Sequence, residues 1–200
     1  MSLLFETIRI ENGILMHPEE HEKRMFRSRI TLFGVTNPFS LHQVIRIPGE
    51  FSSGIVRCRV DYGITIDEVK FTHYKLKPIK KFRIVADEKI EYPFKFSDRS
   101  ALESLLKKKN NADEIILVQN GLITDTTFSN LIFYDGRNWI TPSTPLLKGT
   151  CRERLIRERK IMEKKISIME LDSFIGFKII NAMIYPEETE LIPISSCIRT

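Results

Sequence analysis

Lys95 is the residue whose type and setting point most directly to covalent chemistry. It stands between Phe94 and Phe96, just before a stretch with helical spacing that includes Leu102 and Leu105. A lysine attacks a carbonyl group only as the neutral amine, and apolar neighbours favour that form by excluding water. The pattern is compatible with a nucleophile that forms a Schiff base, but spacing alone favours a lysine with a buried stem and an exposed ammonium.

A second group of reactive side chains falls between two predicted strands. Its members are all short and polar: Thr124, Asp125, Thr126, Thr127 and Ser129. Such a cluster at a strand end can line a binding site. Residues of these types also form loops whose side chains bond only to their own backbone, and spacing alone leaves both interpretations open.

Two further segments could hold anions. The stretch Gly149–Arg152 opens a predicted helix, so its first backbone N–H groups and the positive end of the helix dipole form an anion site. Arg57 and Arg59 share one face of a predicted strand. That face is either solvated or recognises a substrate carboxylate.

A metal site is not expected. His17 and His21 stand four residues apart, which would place them on one face of a helix. Pro18 occupies the position where a zinc protease motif carries its catalytic glutamate, and no third ligand follows.

Turn signals divide the amino-terminal part into short elements. Asn12-Gly13 separates the strands Leu3–Ile10 and Ile14–Met16, which predicts a hairpin. A helix should follow from Pro18, with acidic residues in its first turn, and should run to about Phe33 before Gly34.

The central part predicts strands around a second hairpin turn, Asn120-Gly121. Together they should form a meander, with the strands Ile115–Val118, Leu122–Ile123, Leu131–Tyr134 and Trp139–Ile140. The helix after Lys95 should be capped by Ser97 or Asp98.

A lysine-rich stretch with one proline, Leu76–Lys81, is the expected linker, and a strand over Phe82–Ala86 should begin the second domain. We therefore predict an α+β protein with a small α/β domain over residues 1–78 and a larger one over residues 79–200.

Composition limits the kind of protein. Of 200 residues, 42% are hydrophobic and 28% charged, which is typical of a globular chain. The net charge of +5 comes from basic residues interleaved with acidic ones, which favours solvated faces over a nucleic-acid surface and suits an anionic substrate. Three widely spaced cysteines, no signal-like segment and no apolar run of membrane-spanning length lead us to expect a cytoplasmic protein that binds no membrane.

The ordered set of motifs resembles the fold type IV pyridoxal phosphate enzymes, that is, the class IV aminotransferases. This family includes branched-chain and D-amino acid aminotransferases and 4-amino-4-deoxychorismate lyase. The matching segments are Phe5–Thr7, His21–Met25, Ile123–Asp125, Ser129–Phe133, Leu146–Arg152 and Asn181–Met183. The resemblance implies a two-domain fold with pyridoxal 5'-phosphate in the cleft between the domains.

The resemblance also implies a role for each site residue. Lys95 would bind the cofactor covalently, and Asp125, where the family has a glutamate, would pair with the pyridine nitrogen. The cofactor phosphate would be held by the side chain of Arg24 and by Thr150 and Cys151 at the start of a helix, and Asn181-Ala182 would lie beside it. These are catalytic and cofactor-binding assignments, and no metal is among them.

Three functions follow from the resemblance. The first is a lyase that converts 4-amino-4-deoxychorismate to p-aminobenzoate and pyruvate, a step of folate biosynthesis. The second is an aminotransferase for a branched-chain or D-amino acid. Both would act on an amino-acid-like anionic small molecule as a homodimer, since the family builds each pocket with a partner loop. The third is a non-catalytic protein that kept the fold, which Arg99 in the place of the lysine would favour.

Overall fold

The computed structural model describes residues 3–198. Its contacts divide the chain into two compact units. The first unit contains the chain up to Leu76 together with Phe94–Asp98, and the second contains Lys77–Pro93 and the chain from Arg99 onward. The expected division after residue 78 places Phe94–Asp98 in the second domain, whereas the contacts of this segment group it with the first unit.

The first unit is built on an antiparallel sheet, for which the described residues supply four strands. The strands are β1 (Leu4–Glu11), β2 (Ile14–Leu15), β3 (Ile55–Tyr62) and β4 (Ile66–His73), in the order β2-β1-β3-β4. Asn12 and Gly13 both have positive φ, 48° and 79°, as a two-residue hairpin turn requires. The predicted opening hairpin is therefore confirmed.

One face of this sheet is covered by helix α1 (Pro18–Phe33), and a short helix α2 (Leu41–Val44) lies further along the chain. Alternate side chains of β1 and β3 form the core with Met25 of α1; they are Leu4, Ile8, Ile10, Val56, Cys58, Val60 and Tyr62. The helix ends at Gly34, whose φ of 67° is a left-handed conformation that favours glycine. The predicted helix bounds are confirmed.

The second unit contains two sheets within the described residues. One has the order β13-β5-β6-β7, with β5 (Phe82–Ala86), β6 (Glu114–Gln119), β7 (Leu122–Thr126) and β13 (Cys197–Ile198). The other has the order β10-β9-β8-β11-β12, with β8 (Asn130–Tyr134), β9 (Trp139–Pro142), β10 (Met162–Lys164), β11 (Gly176–Ile180) and β12 (Ile192–Pro193).

The prediction of a single meander through this region is wrong. The strands exist where expected, but β6 and β7 pair in one sheet whereas β8 and β9 pair in the other. Strand β8 already has hydrogen-bonded neighbours on both edges, β9 and β11, so β7 cannot join it. The chain therefore changes sheets at the turn between Thr126 and Asn130, within the polar cluster.

Helices of the second unit are α3 (Ser100–Leu106) and α4 (Thr150–Arg157). Shorter 3-10 segments lie at Gly49–Phe51 in the first unit and at Lys107–Lys109, Ile168–Ser173, Pro186–Glu188 and Ile194–Ser196 in the second. The predicted cap of α3 at Ser97 or Asp98 is wrong, because the helix starts after Arg99. Among residues 3–198, no helix combines the length and the hydropathy that a bilayer span requires.

Candidate functional site

Lys95 lies beside β1 of the first unit, on a segment that turns at this residue, since the Phe96 amide donates to the Phe94 carbonyl at 2.8 Å. The Lys95 carbonyl accepts a hydrogen bond from the Phe5 amide at 3.0 Å, and the next residue, Phe96, forms a bridge with Leu4. The side chain is half-buried. The rings of Phe94 and Phe96 pack against the apolar core of this unit, 5.7 Å apart. The aromatic ring over which the Lys95 amine lies is that of Phe5, with 4.6 Å between Nζ and the ring centroid.

Arg24 projects from α1 and is held by a buried carboxylate. Its Nε donates to Glu6 Oε1 at 2.8 Å and its Nη2 donates to Glu6 Oε2, which is a bidentate ion pair. Burial would raise the pKa of Glu6, but the charge of Arg24 and the hydrogen bonds from His21 and Arg24 outweigh it and hold the pKa at about 2. Glu6 is therefore ionised, and it fixes the plane of the Arg24 guanidinium.

His21 completes this cluster. Its Nδ1 lies 2.7 Å from Glu6 Oε2, and because an ionised carboxylate only accepts, Nδ1 carries the proton. Burial lowers the pKa of His21, and the charges of Arg24 and Lys95 act in the same direction, against the hydrogen bond to Glu6. The imidazole is thus a neutral donor whose Nδ1–H bonds to the Glu6 carboxylate.

The sequence interpretation assigned Arg24 but missed the roles of Glu6 and His21. Two local signals could have revealed them. Glu6 lies on the apolar face of β1, with Leu4 and Ile8 two residues to either side, and a carboxylate on a buried face requires a partner. His21 precedes Arg24 by three residues and so shares its face of the helix.

Arg59 is engaged and does not offer a lone cation. It forms a fork with Asp61, whose carboxylate oxygens accept from its Nε at 2.8 and 3.0 Å, and its guanidinium carbon lies 4.0 Å from the Phe5 ring centroid. Arg57 is exposed on the same strand. Arg59, one of the two arginines predicted as candidates for binding a substrate carboxylate, therefore already has the Asp61 carboxylate as its counter-ion.

In the second unit, Asp125 is buried in β7 and accepts two hydrogen bonds. Oδ1 accepts from Asn130 Nδ2 at 2.7 Å and Oδ2 accepts from the Leu147 amide at 3.0 Å. Burial raises the pKa of Asp125 to about 6, although these bonds and the charge of Arg152 oppose the rise. Both hydrogen-bond donors are neutral, so this carboxylate suits a cationic partner such as a protonated pyridine nitrogen.

Asn130 connects Asp125 to the start of α4. Besides Asp125 it bonds to the Leu147 carbonyl at 2.9 Å, so its amide is fixed from two sides. A Cβ built on Gly149 would lie 2.0 Å from Asn130 Oδ1. The glycine of the L-L-x-G-T-x-R segment is therefore required by close approach of the Asn130 side chain.

The first turn of α4 has the features expected of an anion site. Gly149 is the N-cap and no side chain caps the helix, so its first N–H groups are not satisfied by a capping side chain. Thr150 and Cys151 are both buried. The Cys151 thiol packs in an apolar cluster with Leu155, where burial raises its pKa to about 11. Any contribution of Cys151 to anion binding must come from its backbone N–H.

The remaining polar residues of the cluster largely bond to one another. Thr126 Oγ1 lies 2.8 Å from Ser129 Oγ, and Thr127 Oγ1 donates to the buried carboxylate of Glu114 at 3.0 Å. Arg99 donates from Nη2 to the Thr127 carbonyl at 2.8 Å. For Thr126 and Ser129 the interpretation of a self-satisfied loop is thus supported. Thr127 instead bonds to Glu114, and Asp125 belongs to a separate cluster with Asn130 and Leu147.

Asn181 and Ala182 form a tight turn after β11. Asn181 and Ile184 exchange backbone hydrogen bonds at 3.1 and 3.2 Å, and Asn181 Oδ1 accepts from the Met183 amide at 2.8 Å. Asn181 Nδ2 also donates to the Phe128 carbonyl at 3.4 Å. This amide therefore ties its own turn to the turn at which the chain changes sheets.

Comparisons with known proteins identify the family. The family model for amino-transferase class IV matches residues 96–197. An uncharacterized protein of Haemophilus influenzae is 39% identical over 182 residues, which cover 90% of this chain and 97% of that protein. The chain belongs to the class IV aminotransferase family.

Solved structures of class IV aminotransferases and related proteins share its fold. A protein of Haemophilus somnus, provisionally assigned as a 4-amino-4-deoxychorismate lyase, is 35% identical with a TM-score of 0.85, over 92% of this chain and 97% of that chain. A hypothetical aminotransferase of Mycobacterium tuberculosis in its PLP-bound form is 14% identical with a TM-score of 0.73, over 91% and 78%. The predicted fold type IV architecture of mixed helices and strands is confirmed.

Proposed function

We propose that this class IV aminotransferase family member is a pyridoxal phosphate-dependent lyase that converts 4-amino-4-deoxychorismate to p-aminobenzoate and pyruvate. The observation that carries the proposal is the similarity to the Haemophilus somnus protein, which extends over 97% of that chain at 35% identity. A relative that aligns with this chain over nearly its whole length thus bears the provisional lyase assignment.

The residues present fit pyridoxal phosphate. Lys95 supplies a half-buried amine, and Asp125 is a buried carboxylate with neutral hydrogen-bond donors. The start of α4 lacks a capping side chain, and Asn130 fills the space that a Cβ on Gly149 would need. These groups match the amine, the acid and the anion site that the cofactor requires.

Each group has a defined task in the proposed reaction. When bound, the cofactor supplies an electron sink for the bonds broken at the substrate α-carbon. Lys95 would hold the cofactor covalently at rest, and once its amine is released it would move a proton at its Nζ. Asp125 keeps the pyridine nitrogen protonated, and Asn130 and Leu147 hold the Asp125 carboxylate in place. Arg24 holds phosphate with its guanidinium plane set by Glu6.

Product analysis tests this proposal. Purified protein is mixed with pyridoxal phosphate and 4-amino-4-deoxychorismate, and p-aminobenzoate and pyruvate are measured by chromatography. We expect the two products in equal amounts, no requirement for a 2-oxo acid, and loss of both in Lys95→Ala. Lys89→Ala is the matched control, because Lys89 is exposed. Amino-group transfer to a 2-oxo acid without p-aminobenzoate formation would instead assign an aminotransferase, and no turnover of either kind would indicate the non-catalytic alternative.

A further inference from the structure

Phe5 and Lys95 are joined both through the main chain and through the side chains. The Phe5 amide donates to the Lys95 carbonyl at 3.0 Å, and the Lys95 Nζ lies 4.6 Å from the centroid of the Phe5 ring. A cation at this distance from the face of an aromatic ring is attracted by the ring quadrupole, whereas a neutral amine gains little. The contact therefore distinguishes the protonated amine from the neutral one.

The Phe5 ring is itself held in position by β3. Strand pairing places Phe5 directly opposite Asp61 and places Thr7 opposite Arg59, so Phe5 and Arg59 are diagonal neighbours on one face of the sheet. The Arg59 guanidinium carbon lies 4.0 Å from the same ring centroid, and the fork to Asp61 fixes that guanidinium. Phe5 is buried with 6% of its surface exposed, which leaves the ring little freedom to move.

We propose that Phe5 is a positioning residue for Lys95, whose protonated amine it holds at one place whenever that amine is not bonded to a carbonyl compound. When Lys95 has taken up a proton during turnover, its amine would then remain at the position from which it reacts next. The inference rests on the proposed function in taking Lys95 as the reacting amine. It adds a group that acts on the lysine and not on the cofactor.

The ionisable side chains of β1, α1 and β3 near Lys95 are either paired with each other or neutral. Glu6 of β1 is paired with Arg24 of α1, His21 of α1 is neutral, and Arg59 of β3 is paired with Asp61. Each ion pair carries no net charge. The aromatic face of Phe5 is therefore a contact whose loss changes the protonation of Lys95 without adding or removing a charge.

The test is the pH profile of Lys95 acylation in the full-length protein without cofactor. Protein is treated with acetic anhydride over a range of pH, and modification of Lys95 is quantified by mass spectrometry of its peptide, with exposed Lys89 as the reference in the same sample. Cation–π contacts change an equilibrium by roughly twofold to thirtyfold. Phe5→Leu should therefore lower the midpoint for Lys95 by roughly 0.4 to 1.5 pH units, because the protonated form loses its partner.

Two further variants separate positioning from a loss of structure. Phe5→Tyr keeps the aromatic face and should keep the wild-type midpoint. Arg59→Gln combined with Asp61→Asn removes the competing cation from the ring together with the carboxylate that pairs with it, so the local net charge is unchanged and the midpoint for Lys95 should rise, opposite to Phe5→Leu. A midpoint unchanged in Phe5→Leu, or shifts of the same sign in both variants, would overturn the proposal. If Phe5→Leu does not fold, the absence of a rise in the double variant with Arg59→Gln and Asp61→Asn would overturn the proposal in the same way.

The outcome is independent of the proposed function. Acylation is measured without cofactor, so it reports on the contact between Phe5 and Lys95 whatever reaction the protein catalyses. Lack of lyase activity together with the expected shifts would count against the proposed reaction only. Lyase activity with no shift in Phe5→Leu would count against the role of Phe5 only.

Discussion

Asp125→Asn keeps the size of a buried side chain and removes its charge, so it separates the two tasks proposed for this residue. In the wild type both oxygens accept hydrogen bonds, from Asn130 and from the Leu147 amide. An asparagine offers one oxygen, and its amide nitrogen must face a donor. Leaving one buried donor without its acceptor costs about 1–3 kcal/mol of the free energy of unfolding.

An opposing effect comes from the buried charge. Burial raises the pKa of Asp125 from 3.8 to about 6, a difference of about 2 units, which disfavours the ionised form in the folded protein by about 3 kcal/mol at pH 7. Asparagine does not have this penalty. The two effects have similar size, so the free energy of unfolding of Asp125→Asn at pH 7 should differ from that of the wild type by no more than about 2 kcal/mol.

The sign of the pH dependence follows from the raised pKa. Between pH 4 and pH 6 the folded protein binds more protons at Asp125 than the unfolded chain does, so the stabilisation from this site is complete below the unfolded pKa and is lost as pH rises through about 6. Urea unfolding of the cofactor-free wild type and of Asp125→Asn should show this difference in slope. Identical slopes would contradict the assignment of Asp125 as a group that titrates while buried.

The catalytic consequence should be larger than the structural one. Pairing with the pyridine nitrogen matters chiefly when negative charge flows into the ring, which is a transition-state effect. Turnover in Asp125→Asn should fall by about ten to a thousandfold, a few kcal/mol of barrier, while cofactor affinity measured by equilibrium dialysis changes far less. Retained activity would refute the reasoning and confine Asp125 to a structural role with Asn130.

Two other predictions follow from single contacts, and a third concerns the assembly. Gly149→Ala should lower the free energy of unfolding by about 1–3 kcal/mol or more, because the new Cβ displaces Asn130 from its buried hydrogen bonds. Gly49→Ala is the control in urea unfolding, because nothing lies within 4 Å of a Cβ at that position. Equal stability of the Gly149→Ala and Gly49→Ala variants would contradict this prediction. Arg24→Ala should weaken cofactor binding roughly tenfold or more, and it should destabilise the fold by about 3–5 kcal/mol because Glu6 loses its partner. Adding Glu6→Ala should restore stability in part but not cofactor binding. Recovery of both stability and binding in the double variant would remove Arg24 from the phosphate site. The protein should be a homodimer by light scattering at micromolar concentration, and a fully active monomer would oppose that expectation.

The parts of the fold that the sequence predicted are those decided by neighbouring residues. Asn120 and Gly121 adopt φ of 51° and 71°, and the turn they form depends on those two residues alone. Gly34 ends α1 for the same kind of reason. A local conformational preference of this type does not depend on the rest of the chain. The neighbouring residues are therefore sufficient to predict such a turn or helix end.

The change of sheet between β7 and β8 could not be predicted in this way. It depends on β8 having β11 as a neighbour, and the register aligns Leu131 with Ile179, far apart in sequence. The pattern of apolar residues shows that a strand exists, but it does not show which edge is free. The single meander was therefore the simplest prediction and the wrong one.

The candidate site shows the same limit. The sequence supplied Lys95 with flanking aromatic residues, yet its amine lies over Phe5, which is 90 residues away in the chain. The chain turns at Lys95, where the Phe96 amide donates to the Phe94 carbonyl, and both Phe94 and Phe96 pack against the apolar core instead. Resemblance to a family selects the residue, whereas its surroundings come only from tertiary contacts.

Borohydride reduction of the protein mixed with pyridoxal phosphate tests the central claim most directly. Reduction makes a bond between lysine and cofactor permanent, and peptide mapping by mass spectrometry then identifies the lysine. We expect a yellow protein, a single stoichiometric label on Lys95, and no label at that peptide in Lys95→Ala. A stoichiometric label on another lysine, or no label at all, would contradict it.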